Sequence, residues 1–129
     1  MADIPRGNRP LSPHLSVYRL PMAAVTSIMT RITGQALLAG LLLIVWWLVA
    51  AATGPRAFAT ADWVVRSWIG YLVLLGSAWA LWFHFLSGIR HLCYDSGLLL
   101  TRDDAQRASW VLIIGSVVLT LITVILFAF

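Results

Sequence analysis

The run Ile32-Thr33-Gly34-Gln35-Ala36-Leu37-Leu38-Ala39-Gly40-Leu41-Leu42-Leu43-Ile44-Val45-Trp46-Trp47-Leu48-Val49-Ala50-Ala51-Ala52 decides what kind of molecule this is. It carries no charge and is interrupted only by Gln35 and small residues. Crossing a ~30 Å hydrocarbon core takes about twenty apolar residues in helical form, so the run reads as a transmembrane helix. Trp46 and Trp47 near its far end suit an interfacial aromatic belt. Thr53-Gly54-Pro55 stops it.

Working outward, two further apolar runs of spanning length follow, and the predicted helices are 22–53, 64–93 and 108–129. The second is longer than the core requires, which permits tilt or protrusion. The connection between the first two, through Asp62, reads as short. Before them lies a polar lead-in over 1–21, with Pro5, Pro10 and Pro13 and no apolar segment of its own, so a cleaved secretory signal is not expected. Composition agrees: 60% of residues are hydrophobic, 11% charged, and the mean hydropathy is +0.88. Soluble domains sit near half apolar. The fold class is therefore all-α, an integral membrane protein whose three transmembrane helices form one bundle.

All nine basic residues are Arg, set against five Asp, for a formal charge of +4. No basic stripe with interleaved aromatics is present, so the charge speaks for lipid headgroups and topology rather than nucleic acid. Arg6, Arg9, Arg19 and Arg31 fall on the same side of the membrane as Arg90, Arg102 and Arg107, and only Arg56 and Arg66 lie on the other. By the positive-inside rule the N-terminus is cytoplasmic and the C-terminus opposite. A bacterial inner membrane fits better than a mitochondrial one, because the lead-in lacks the Arg- and Ser-rich character of a transit peptide. The single cysteine, Cys93, excludes an intramolecular disulfide.

Chemistry concentrates where the second run ends, in His84-Phe85-Leu86-Ser87-Gly88-Ile89-Arg90-His91-Leu92-Cys93-Tyr94-Asp95-Ser96-Gly97. An ionisable side chain inside a lipid-soluble segment is costly, so His84 is a functional-site candidate by default. His91 lies seven residues on, close to two turns and ~10 Å nearer the polar end on the same face. Gly88, one turn from His84, removes a side chain where a flat macrocycle would lie. Neutral imidazole is a common haem-iron ligand. If His84 ligates a haem iron with two histidines, the second must approach from the other side; His91 shares the face of His84 and His14 sits in the lead-in, so that ligand would belong to another subunit or to a second copy of this chain.

Ser27 and Arg31 form a second pair, four residues apart and on one helix face. A hydroxyl donor beside a fixed cation at the lipid–water boundary suits a quinone head group, whose oxygens accept hydrogen bonds and gain negative charge on reduction. His91 and Asp95, again one turn apart, suit a proton relay or contacts to haem propionates. Each residue has a plainer reading beside this one. His84 also fits an interhelical hydrogen bond, Arg31 a topology determinant, and His91 with Asp95 a solvated pair at a helix end.

The pattern H-x-x-x-G-I-R-H-L-x-Y-D-x-G over His84 to Gly97 resembles the signature of the succinate dehydrogenase cytochrome b subunit, the large membrane anchor of respiratory complex II. Arg9-Pro10-Leu11, Leu15, Met22, Ser27, Arg31 and Thr33 match that family's N-terminal signature. The resemblance implies a bundle shared with a second small membrane-anchor subunit, docked beside an iron–sulfur subunit and a flavoprotein. Electrons from succinate would pass through the iron–sulfur clusters to quinone. It also implies one b-type haem shared with the second anchor, His84 as axial iron ligand, and Ser27 and Arg31 in the quinone pocket. Arg31 would also stand near a propionate and His91 at the haem edge or a propionate, while Asp95 matches the motif without a role that the resemblance assigns. Ubiquinone is the expected substrate, with menaquinone the alternative. The family usually has histidine before the arginine, where this chain has Thr30, which cannot carry a proton near neutral pH. A haem-less structural anchor of a related complex is the rival reading of the whole chain.

Overall fold

The computed structural model describes residues 18–128, so the first 17 residues of the lead-in, including His14 and the Arg9, Pro10, Leu11 and Leu15 of the N-terminal signature, lie outside the described residues. Four helices follow in order: α1 (Met22–Thr53), α2 (Pro55–Val65), α3 (Trp68–Asp95) and α4 (Arg102–Ala128). α1, α3 and α4 are each long and apolar enough to cross a membrane. At 1.5 Å per residue the 32 residues of α1 reach ~48 Å, well beyond a ~30 Å core, so this helix protrudes or tilts.

The segment from Pro55 to Val65 is a helix of its own rather than a short connection, and the second span accordingly begins at Trp68, not at residue 64. Pro55 occupies its first turn, where a missing N–H is harmless. Ala61 is fully buried, Trp47 donates Nε1–H to Asp62 Oδ1 at 3.4 Å, and the Trp47 and Phe58 rings lie 5.4 Å apart, which pins α2 against the end of α1. Gly54, at φ 144°, makes the corner in a conformation other residues rarely adopt. Ser67 then caps α3 by accepting from the Gly70 N–H at 3.2 Å. At its other end α3 closes on Gly97 at φ 76°, with Leu98 N–H returning to the Cys93 carbonyl. α4 starts six residues before the predicted 108 because Thr101 caps it, taking the Asp104 N–H at 3.2 Å.

Lipid offers no hydrophobic drive between apolar helices, so close packing and interhelical hydrogen bonds must hold the bundle. Buried positions are accordingly small or hydroxylic: Thr26, Thr33, Gly40 and Ala50 on α1; Ala80, Phe83, Ser87 and Arg90 on α3; Ser109, Leu112, Ser116 and Thr120 on α4. A Cβ on Gly40 would collide with Ser77, so α1 and α3 touch backbone to side chain there. Trp82 Nε1–H donates to Thr123 Oγ1 at 2.9 Å, joining α3 to α4. Large apolar side chains from Ile28 to Phe127 stay exposed along the three spans, available to lipid or to other subunits.

Candidate functional site

The N-terminal half of α1 and the C-terminal half of α3 run side by side at one end of the bundle and leave a groove of ≈ 590 Å³ between them. Ser27 and Arg31 line it from α1, and His84, Gly88 and His91 line it from α3. All five are exposed in the isolated chain, so the groove is open to its surroundings. Asp95, the last residue of α3, is exposed and does not line the groove. Thr30, Ser87, Arg90 and Tyr94 do line it.

His84 owes its orientation to the backbone of α1. Its Nδ1 lies 3.2 Å from the Thr30 carbonyl oxygen and 3.5 Å from Thr33 Oγ1. A carbonyl can only accept, so Nδ1 carries the hydrogen, and in a neutral ring Nε2 is left with its lone pair. Thr33 Oγ1 spends its own hydrogen on the same Thr30 carbonyl at 3.0 Å, which leaves its oxygen free to accept. Gly34 makes the approach feasible: a Cβ there would stand 3.3 Å from His84 Cε1. Around Gly88, by contrast, nothing lies within 4 Å of where a Cβ would be. One side of the imidazole is thus held against α1 while the space one turn away stays open.

Thr30 Oγ1 donates to the Thr26 carbonyl at 2.8 Å, and its lone pair receives the Ser87 hydroxyl at 2.5 Å. The position where the resemblance expects histidine is therefore an α1–α3 tie. Beside it, the buried Arg90 reaches across to both neighbouring helices. Its Nη1 donates to Thr26 Oγ1 at 2.6 Å and to Ser109 Oγ at 3.0 Å, and its guanidinium carbon lies 5.8 Å from the centre of the Tyr94 ring. The two hydroxyls return their own hydrogens to backbone carbonyls, Ser109 to Ala105 at 2.7 Å and Thr26 to Met22 and Ala23 at 3.1 Å. Sequence reasoning used Arg90 only to orient the chain. It falls in register with the buried Ala80, Phe83 and Ser87, at intervals of three and four, and that register is the signal that marks it as an inward-facing cation.

An oriented imidazole, two guanidinium groups and a serine hydroxyl around one groove, on three helices long and apolar enough to cross a membrane, define the class: an all-α polytopic membrane protein with a polar groove at one end of its bundle. Residues 5–123 match the family model described as the succinate dehydrogenase/fumarate reductase transmembrane subunit. The chain belongs to that family. It is 66% identical over 127 residues to the succinate dehydrogenase cytochrome b556 subunit of Paracoccus denitrificans, covering 98% of each chain. It is 31% identical over 114 residues to the protein of the same description in Rickettsia conorii, covering 88% of this chain and 89% of that one. With the mitochondrial cytochrome b560 subunit of Sus scrofa it shares 35% identity over 115 residues, covering 85% of this chain and 66% of the relative.

Proposed function

We propose that this chain is the haem-holding, quinone-facing membrane anchor of a succinate:quinone oxidoreductase, complex II, in the inner membrane of a bacterium with its N-terminus in the cytoplasm. The observation that carries the reading is the His84 ring: Nδ1–H is spent on the Thr30 carbonyl, so Nε2 keeps a free lone pair for a metal, and Gly88 leaves space in the groove beside it. Metal-bound histidines characteristically give their other N–H to a carbonyl or carboxylate, which fixes the tautomer and the ring plane. The donor set therefore fits a b-type haem, which when bound supplies a one-electron carrier near the quinone.

His84 would hold the haem iron, and a second small membrane-anchor subunit would supply the other protein ligand. An iron–sulfur subunit and a flavoprotein complete the assembly, and succinate oxidation belongs to the flavoprotein. Ser27 donates its hydroxyl hydrogen to a quinone oxygen, and Arg31, one turn along the same helix, stabilises the charge that develops there on reduction and also stands near a haem propionate. His91 stands toward the polar end of the groove, where it contacts a propionate or exchanges protons, and Asp95 continues the proton path to the aqueous edge. Thr30 takes no part in proton transfer, its hydroxyl being engaged with Thr26 and Ser87. Ubiquinone is the proposed substrate.

The test is a reduced-minus-oxidised spectrum of the purified complex, wild type beside His84→Ala. Wild type should show a b-type absorbance that the variant lacks, while succinate oxidation by a soluble dye reports that the other subunits are intact. A wild-type complex with no such absorbance refutes the reading and leaves a haem-less anchor; so does a variant with full haem content.

A further inference from the structure

Arg90 is a cation in the wrong place unless something answers its charge. It is 9% exposed, at the meeting point of α1, α3 and α4, and its bonded partners are hydroxyls. Thr26 and Ser109 take hydrogen bonds from Nη1, and Tyr94 lies 5.8 Å from the guanidinium carbon. None of these is an anion. Among the described residues the single ion pair is Asp62 with Arg66, on another part of the molecule. A guanidinium has five N–H donors in a rigid fork shaped to grip a carboxylate or phosphate with two parallel bonds. Two of the five are used by the hydroxyls, and Arg90 borders the groove that also holds Arg31, His84 and His91.

Desolvating a charge is expensive and is tolerated when a counter-charge is supplied. Here the counter-charge must come from outside the described residues, and the groove is the way to it. We infer that Arg90 is a second anion-binding residue of the groove, holding one of the two haem carboxylates while Arg31 serves the other. The inference rests on the haem reading given above. Its chemistry is that of matching charge: a haem b brings two propionates, and the groove is lined by two guanidinium groups. Along α3 the six residues from His84 to Arg90 amount to ~9 Å of rise, so Arg90 lies on the polar side of the imidazole, where carboxylates belong. Thr26 and Ser109 are positioning residues, since by occupying Nη1 they aim the rest of the fork.

The test uses the assembled complex with Arg90→Gln and Arg90→Lys, measuring the haem midpoint potential, the haem content per flavin, and dye-linked succinate oxidation as a check on assembly. A nearby cation favours the reduced, more negative haem. Arg90→Gln should therefore lower the reduced-to-oxidised ratio at fixed potential about tenfold, about 59 mV for a one-electron couple. Arg90→Lys keeps the charge and should move it less than threefold. An unchanged potential in Arg90→Gln, or equal shifts in both variants, overturns the inference. A structure of the wild-type complex is the second measurement and does not depend on either variant folding. A haem carboxylate oxygen about 3 Å from an Arg90 nitrogen supports it; a lipid phosphate, a partner's acidic side chain or water in that place overturns it. Wild-type complex without haem defeats this inference together with the functional reading, whereas haem present with an indifferent Arg90 defeats this inference alone.

Discussion

Gly34→Val is the sharpest probe of how α1 presents the imidazole. At Gly34 a bare Cβ would already sit 3.3 Å from His84 Cε1 and 3.7 Å from Nδ1, tighter than ordinary van der Waals contact at the first atom. Valine adds two methyl groups beyond that Cβ, and a β-branched side chain in a helix has one strongly preferred rotamer with little freedom to turn them away. The ring must then retreat and the 3.2 Å bond to the Thr30 carbonyl opens. Losing that bond costs ~0.5–1.5 kcal/mol, and overpacking a fitted contact ~1–3 kcal/mol. Together these come to ~1.5–4.5 kcal/mol against the haem-competent arrangement, or roughly ten- to two-thousand-fold in haem retention. The assay is the rate and extent of haem loss from purified complex on dilution, followed in the visible spectrum and normalised to flavin, with Gly34→Ala as the milder step. Haem retention and band positions equal to wild type in Gly34→Val would show that the α1 backbone does not orient the ligand.

Two further substitutions test the groove and the bundle separately. Arg31→Ala is expected to slow quinone reduction by roughly 10²-fold, the scale seen when one donor to a developing oxyanion is removed, while dye-linked succinate oxidation continues; undiminished quinone turnover would take Arg31 out of the site. Gly40→Val, deep in the spans and away from the groove, meets Ser77 across the α1–α3 contact. It should lower the thermal stability of the complex by an overpacking cost of ~1–3 kcal/mol while leaving the haem potential of surviving complexes unchanged, as a thermal melt with parallel redox titration would report.

The three spans were legible because a lipid solvent leaves a coarse mark: long runs such as Ile32 to Ala52 admit few other readings. His84 was legible for the same reason, as an ionisable group where none is cheap. α2 was not, because its eleven residues carry no run of that kind. Its marks are local ones, Pro55 in the first turn, Ser67 immediately beyond, and apolar Phe58, Ala61 and Val65 at helical spacing, and a short connection absorbs all of them without protest. Arg90 escaped for a different reason. Counting arginines by side of the membrane treats them as interchangeable, whereas burial depends on helix phase, and Arg90 shares the phase of Phe83 and Ser87. The Thr30 carbonyl that orients His84 belongs to the backbone, and no side-chain pattern announces it.

The corner at Gly54 and the helix that follows it have an electrical consequence. α1 and α3 both exceed the hydrocarbon core of a bilayer, so length alone does not set how deep the bundle rides. Trp63 and Trp68, 74% and 72% exposed on either side of the α2–α3 junction, are the natural float line, since tryptophan settles at the headgroup level. Sixteen residues separate Trp68 from His84, ~24 Å along an untilted helix out of a ~30 Å core. A charge arriving at His84 from the opposite face would therefore traverse about a fifth of the transmembrane voltage, roughly 0.5 of the 2.3 kcal/mol that each 100 mV imposes on a full crossing. In the proposed orientation, an electron passed to a haem held by His84 from the nearer face would be almost blind to the state of energisation of the membrane.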